Sequence, residues 1–464
     1  MNKKVVLISL PAPFASEPAM NPPLGLCYLS AYLKKKGFCD IRAVDFTLWK
    51  DYDYFDSTDY LEKVPLDADL YGIYCMTVQF KWLIDVVNFI KKSNSKAVVV
   101  VGGPHASTCP EECLRVAGAD IAVKGEGEEA FSQIVLGTAL KDIIGACFLG
   151  PKGEFKDGGR ATINDLDSLP FPDRDVFDIQ KYKRTIEGEK AIHIVTLRGC
   201  PYSCAFCDKV TVGTKTRYRS VENVLSEIDF IISEYECRKF VIYDDIFTLD
   251  RKRVSAFCKE FKIRNLKWRC WSRTNTIDKE MLLMMKDAGL VSITFGVESG
   301  DDNVLSKMKK HATAEQNRLA LLACKEARVP VRCSIMYGNP GETLESVKNT
   351  VKLIEETQPG EWNLAVLAPI PGSDIWEHPE KYGLIFDKEW VKKNHYIMVN
   401  RFDSSGIGSI WISLSHISDK EFVDNLKFLI KELERVSPRK KIQDTIQHIE
   451  VDKLNVITPR KSKS

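Results

Sequence analysis

Short β-branched runs alternate with stretches whose apolar residues recur every three or four positions. Val5–Leu10, Ile41–Phe46, Leu70–Cys75, Ala97–Val101 and Ile121–Val123 are too short for helices and read as buried strands. Between them, residues 26–36, 81–92, 110–117 and 128–136 carry a helical period. Continuous apolar strands alternating with helices predict a parallel sheet covered on both faces. Residues 1–150 are therefore expected to form a Rossmann-like, doubly wound domain, with its ligand crevice at the carboxyl ends of the strands.

The pattern changes after residue 150. Residues 145–150 and 154–158 suggest a small hairpin, and the proline-rich stretch 169–175 is stiff and extended. Residues 151–190 are thus expected to be a linker. Over 191–375 the strand–helix alternation returns six times. The expected strands are residues 192–197, 240–243, 268–271, 291–295, 331–336 and 364–367, with helices at 221–235, 251–261, 279–288, 314–327 and 344–357. This predicts a partial (β/α)6 barrel with its chemistry at the carboxyl ends of the strands. Residues 376–464 read as a small, mainly helical C-terminal region with one clear amphipathic helix at 419–436. Its lysine-rich end is expected to fray. The fold class is α/β.

Composition adds limits. The chain has 464 residues, 44% hydrophobic and 28% charged, enough for more than one apolar core. Lys+Arg minus Asp+Glu is 66 − 64 = +2, so no global field points to nucleic acid. The basic stretches 438–441 and 459–464 read as solvated ends. The 14 cysteines have no framework spacing and read as reduced thiols, expected of a cytoplasmic protein. Pro11 and Pro13 interrupt the first apolar run too early for a signal-peptide core, and nothing approaches the length of a membrane span.

The chemistry is concentrated in one loop. Cys200, Cys204 and Cys207 stand in Gly199-Cys200-Pro201-Tyr202-Ser203-Cys204-Ala205-Phe206-Cys207, directly after the first expected barrel strand. A 4Fe–4S cube with a Cys on every iron needs four thiolates. Three local thiols leave one iron open to a ligand. Structural zinc asks for four ligands, commonly in two paired half-sites, and the next cysteine after the trio is Cys237. A zinc knuckle is the alternative, and a non-catalytic metal-binding interaction protein is the function that goes with it.

The Cys spacing, with aromatic Phe206 before the third Cys, resembles the signature of radical S-adenosylmethionine (SAM) enzymes. The resemblance implies that the unique iron chelates SAM, and that reductive cleavage gives a 5'-deoxyadenosyl radical which abstracts hydrogen from substrate. It also implies roles at successive strand ends. Tyr243, Asp244 and Asp245 would accept from the SAM ammonium, with capping as the alternative for Asp245. Arg273 would reach the SAM carboxylate or the substrate, or else form a structural salt bridge. Glu298 and Ser299, in Gly296-Val297-Glu298-Ser299-Gly300, would contact ribose; the alternative is a turn with a capping Ser. Gly341, in Tyr337-Gly338-Asn339-Pro340-Gly341-Glu342, would let backbone approach adenine.

Residues 1–375 as a whole resemble the cobalamin-binding branch of this superfamily. Asn21-Pro22-Pro23-Leu24-Gly25-Leu26, Gly102-Gly103-Pro104-His105-Ala106 and Gly125-Glu126-Gly127-Glu128 carry that resemblance. It implies cobalamin contacts at Thr77, Gly102, Gly103, His105, Gly125, Glu126 and Gly127. The Asp-x-His-x-x-Gly motif of other cobalamin proteins is missing, and tight turns are the alternative for the glycines. The implied cofactors are a 4Fe–4S cluster, SAM and cobalamin. The implied activity is methyl transfer from methylcobalamin to carbon, with radical rearrangement, cyclisation or oxidation as the second reading. The implied partners are a small-molecule or natural-product substrate and an external electron donor such as flavodoxin or ferredoxin, with no nucleic acid. Trp362, Trp376, Trp390, Tyr396, Phe402 and Trp411 either line a substrate pocket or belong to a core.

Overall fold

The computed structural model describes residues 3–12, 19–49, 57–396, 409–410, 412–438 and 455–456. Two compact units are present. The first runs to Lys183 and includes Asp208–Gly213 and the segment from Val391; the second holds the other residues.

In the first unit the apolar runs form β1 (Val5–Ser9), β2 (Ile41–Asp45), β3 (Leu70–Tyr74), β4 (Val98–Gly102) and β5 (Ile121–Val123). Then come β6 (Ala146–Leu149) and β7 (Phe155–Lys156). The order is β2-β1-β3-β4-β5-β6-β7. β1 pairs in parallel with β2 on one side and β3 on the other, with Val5 opposite Ile41 and Leu70. The chain therefore reverses its winding direction at β1, where doubly wound sheets open their crevice. Helices Leu24–Lys35, Phe80–Ser93 and Gly127–Leu136 follow their strands.

The hairpin read near residue 150 extends this sheet, since β6 pairs antiparallel with both β5 and β7. The stretch read as a linker also packs here. Ala161, Phe177 and Tyr182 join the core of Val5, Leu7, Val100 and Phe131, and the Tyr182 hydroxyl donates to Asp45 at 2.6 Å. Apolar side chains thus fix a segment that lacks regular periodicity.

The second unit carries β8 (Ile192–Ile194), β9 (Lys239–Ile242), β10 (Lys267–Ser272), β11 (Leu290–Glu298), β12 (Val331–Tyr337) and β13 (Glu361–Val366). They form one parallel sheet in chain order. Helices Val221–Tyr235, Arg251–Ile263, Lys279–Asp287, Ala314–Ala327 and Leu344–Thr357 start where Ser220, Asp250, Asp278, Thr313 and Thr343 accept first-turn amides. Trp268, Cys270 and Ser272 of β10 are buried, with Trp268 packed edge-on to Phe247 and Phe261 under a helix. Their alternates Arg269 and Trp271 face the other side of the sheet, where burial is partial.

Helix Asp419–Val436 packs on the helical layer of this unit, and Tyr337 donates to the Phe422 carbonyl at 2.7 Å. Trp362 and Trp376 are core; the Trp362 indole donates to the Ser437 carbonyl at 2.8 Å. Trp390 is half-buried, and Tyr396 is buried in the first unit. Phe402, Trp411 and the basic residues 439–441 and 459–464 lie outside the described residues. No helix among the described residues is long and apolar enough to cross a membrane.

Candidate functional site

The cysteine loop leaves the carboxyl end of β8, and its start is held from below. The expected first barrel strand stops at Ile194 because Asp244, just past β9, draws the next amides away. Its carboxylate accepts from Thr196 N at 2.6 Å, from Leu197 N at 3.1 Å and from the Thr196 hydroxyl. Arg253 donates to Thr196 Oγ1 at 3.0 Å and to the Thr196 carbonyl at 2.8 Å. Burial pushes the Asp244 carboxyl up to about 6, against the pull of these hydrogen bonds and of the Arg253 charge.

The far side of the loop is bracketed. Ala205 N donates to the Met308 carbonyl at 2.8 Å, and the Ala205 carbonyl accepts from Ile375 N at 3.1 Å. Cys207 N closes a turn onto the Cys204 carbonyl at 3.1 Å. The arch presents Cys204 buried, Cys200 half-buried and Cys207 exposed. All fourteen cysteines are free thiols.

Arg273, at the end of β10, lies against this arch. Its guanidinium centre is 3.8 Å from the Tyr202 ring centroid, and one N–H reaches Cys204 Sγ at 3.5 Å. Another N–H donates to the Lys310 carbonyl. The Lys310 ammonium forms a buried pair with Glu298 at 2.9 Å and lies 5.9 Å from the Phe206 ring centroid. Glu298 has a φ of 64°, at an irregularity where the register with β12 shifts. A Cβ on Gly296 would meet both Glu298 and Lys310 within 3 Å, so glycine makes room for the ion pair.

Among the described residues no three Cys, His, Asp or Glu side chains are grouped as ligands of one metal ion. An iron–sulfur cube makes a different demand, since each thiolate takes its own iron. Three thiols on one braced arch, with a cation at one sulfur, fit that donor set.

The open side of the sheet carries the remaining groups. Tyr243 is 39% exposed and Asp245 is exposed, whereas Asp244 points the opposite way, into the loop anchor. The Tyr243 ring packs at 4.6 Å on Trp271 and at 5.5 Å on His193. Farther round, Ser334 donates to Asn363 at 2.9 Å across β12 and β13. Ser299 faces the helices: its hydroxyl caps Asp301 N at 3.2 Å and meets Thr350 Oγ1 at 3.4 Å. Gly341 is buried beside the Lys307 side chain. Burial pushes the neighbouring Glu342 carboxyl up to about 7, despite hydrogen bonds from Ser346 and Asn339.

In the first unit, Gln79 ties the ends of β1 and β3 together. Its amide donates at 3.1 Å to both the Leu10 and Pro11 carbonyls and its oxygen accepts from Met76 N at 3.0 Å. Thr77 is buried at the start of that turn. Among the described residues a Cβ built on Gly102 meets nothing within 4 Å, which leaves room at the end of β4 for a flat ligand against backbone. The next residue, Gly103, turns the chain with a φ of 98°.

The other residues there are used by the chain itself. Gly125 lies so close to residue 161 that a Cβ would fall 2.2 Å from the Ala161 carbonyl oxygen, and Glu126 accepts from Ile163 N at 2.8 Å. Gly127 starts the helix behind them. His105 is 0% exposed, between Phe80 at 4.4 Å and Tyr396 at 5.1 Å, and burial lowers it to about 3. It is shut off from solvent, and neither ring nitrogen has a hydrogen-bond partner among the described residues.

Sequence reasoning missed Lys310, Gln79, Trp271 and Asn363. Trp271 lies in the third expected barrel strand, two residues before Arg273. Lys310 and Gln79 look like ordinary surface residues until the fold buries them, and no local pattern marks that change.

Comparison with known proteins gives two family models. One, the radical SAM superfamily, matches residues 194–354; the other, a B12 binding domain, matches residues 15–135. An uncharacterized methyltransferase of Pyrococcus horikoshii is 30% identical over 84% of this chain and 86% of its own length. The anaerobic magnesium-protoporphyrin IX monomethyl ester cyclase of Rubrivivax gelatinosus is 27% identical over 79% of this chain and 68% of its own. Among solved structures, the radical SAM methyltransferase TsrM of Kitasatospora setae, with cobalamin and a [4Fe-4S] cluster bound, shares the fold. Its TM-score is 0.68 at 19% identity, over 84% of this chain and 81% of that one.

Proposed function

The chain belongs to the cobalamin-binding branch of the radical SAM superfamily, and from that premise we propose that it methylates an unreactive carbon of a small-molecule or natural-product substrate. It is a radical SAM enzyme whose cofactors are a 4Fe–4S cluster, SAM and cobalamin. When bound, these cofactors supply radical hydrogen abstraction and a transferable methyl group.

The chain supplies position. Cys200, Cys204 and Cys207 would hold three irons, on an arch fixed by Asp244, Met308 and Ile375. Tyr243 and Asp245, on the open side of the sheet, would meet the SAM ammonium; Glu298 would meet ribose beside its Lys310 partner, and Gly341 would lie near adenine beside Lys307. Thr77 and Gly102 would form the backbone floor for cobalamin; Gly103, where a Cβ would fall 2.9 Å from the Cys75 carbonyl oxygen, would act through the turn it makes. Asp244, Ser299, Gly125, Glu126 and His105 act through the scaffold, since their side chains or close contacts are spent within it. A low-potential one-electron donor of the flavodoxin or ferredoxin class delivers the electron. Fourteen free thiols fit a reducing cytoplasm.

One observation carries this reading: three thiols on a braced loop at the carboxyl end of the first barrel strand, with a buried guanidinium at the middle sulfur. The test is anaerobic reconstitution with iron, sulfide, SAM and cobalamin. Expected are about four irons and four sulfides per chain, a corrinoid spectrum, 5'-deoxyadenosine, and isotopically labelled methyl from SAM in the product. Absence of corrinoid removes methyl transfer. 5'-Deoxyadenosine with no label in product favours cyclisation, rearrangement or oxidation, the reading that the cyclase relative supports. Zinc without iron or sulfide sinks the enzyme reading.

A further inference from the structure

Resting on that reading of the cysteine loop, we infer that Arg273 sets the reduction potential of the cluster by hydrogen-bonding one of its three thiolates, that of Cys204. The three cysteines are alike in sequence and unlike in surroundings. Cys204 is the buried one, and it has a guanidinium N–H at 3.5 Å.

The guanidinium is not free to swing away. It stacks on Tyr202, two residues before Cys204, with its centre 3.8 Å from the ring centroid. Its second terminal nitrogen donates to the Lys310 carbonyl, and its Nε donates to Asn275 Oδ1 at 3.3 Å. With the plane stacked and Nε and one terminal nitrogen engaged, the other terminal nitrogen is held toward the sulfur. Lysine offers neither the stacking plane nor the fork.

Charge balance points the same way. Arg273 and Lys310 bring two buried cations to the arch, and Glu298 balances one of them. Among the described residues no carboxylate forms an ion pair with the guanidinium. Each electron added to a thiolate-ligated core makes it more negative, and a buried cation bonded to a ligand sulfur stabilises that state. Arg273 therefore raises the potential and makes the cluster easier to reduce. Its carboxylate-binding role becomes secondary, because each of its three nitrogens already donates once, to Cys204, Lys310 or Asn275. It is a positioning residue that acts through Cys204.

The experiment uses the reconstituted full chain. Redox titration followed by electron paramagnetic resonance should give a lower midpoint potential for Arg273→Gln than for the natural protein, with Arg273→Lys between them. Equal potentials in all three overturn the inference. Should the Gln variant not hold a cluster, the Lys variant carries the comparison. Pulsed resonance of the reduced natural protein grown on 15N-arginine gives a second readout that needs no substitution. A weakly coupled 15N beside the cluster, lost in the Lys variant, is expected; no such coupling overturns the inference. Failure of the natural protein to assemble any 4Fe–4S cluster would instead sink the underlying reading. The two failures are therefore distinct.

Discussion

Asp244 braces the candidate site from within the scaffold. Its carboxylate accepts from two amides and a hydroxyl at the root of the cysteine arch. Asp244→Asn keeps the shape but turns half of the acceptor into a donor. Losing a buried acceptor costs about 1–3 kcal/mol. We expect a lower melting temperature and reduced iron content after reconstitution, with cobalamin binding unchanged. Glu342 gives a pH dependence. Burial raises its carboxyl from 4.5 to about 7, so the folded chain holds this proton more tightly than the unfolded one. That stabilisation is complete below the unfolded value and is lost as pH rises through about 7. Urea unfolding should therefore show Glu342→Gln gaining on the natural protein between pH 5 and pH 8, by on the order of 3 kcal/mol. His105, lowered by burial, acts in the opposite sense but is present in both proteins and cancels. No relative gain would mean that Glu342 is solvated.

At the scale of elements, the fold separates two uses of glycine that the chain spells alike. Gly102 opens the end of β4, while Gly125 lets residue 161 run alongside. Gly125→Ala places a Cβ against the Ala161 carbonyl at a residue with a φ of 96°. The cost should exceed about 1 kcal/mol. We expect a lower melting temperature both with and without cobalamin. Gly102→Val should leave the melting temperature of the cofactor-free protein nearly unchanged and weaken cobalamin binding, read by absorbance titration. The regular elements were legible because periodicity and caps agreed; helices Val221–Tyr235, Ala314–Ala327, Leu344–Thr357 and Asp419–Val436 fall where expected. The first barrel strand was not, because one distant carboxylate competes with its ladder.

The molecule as a whole contains two units with separate cores and separate cofactor chemistry. A ligand that binds only folded protein stabilises it, by about 2.7 kcal/mol at a hundred times its dissociation constant. Calorimetry should therefore show cobalamin raising one unfolding transition and removal of iron lowering the other. A single transition shifted equally by both would show that the units unfold together. The first unit also gathers chain from three stretches, including the segment from Val391 whose Tyr396 donates to Glu112 at 2.5 Å. Contacts so remote in sequence leave no local pattern.

Sequence alone determined the α/β alternation, most strand and helix positions, and the three thiols with their place after the first barrel strand. These depend on periodicity and spacing, which neighbouring residues carry. Only the tertiary structure decided which polar side chains stay on the open side of the sheet and which hold the scaffold. Tyr243, Asp244 and Asp245 are consecutive, yet the middle one points into the loop anchor. That division follows from burial: a polar group removed from water must find a partner, and its partners come from distant parts of the chain.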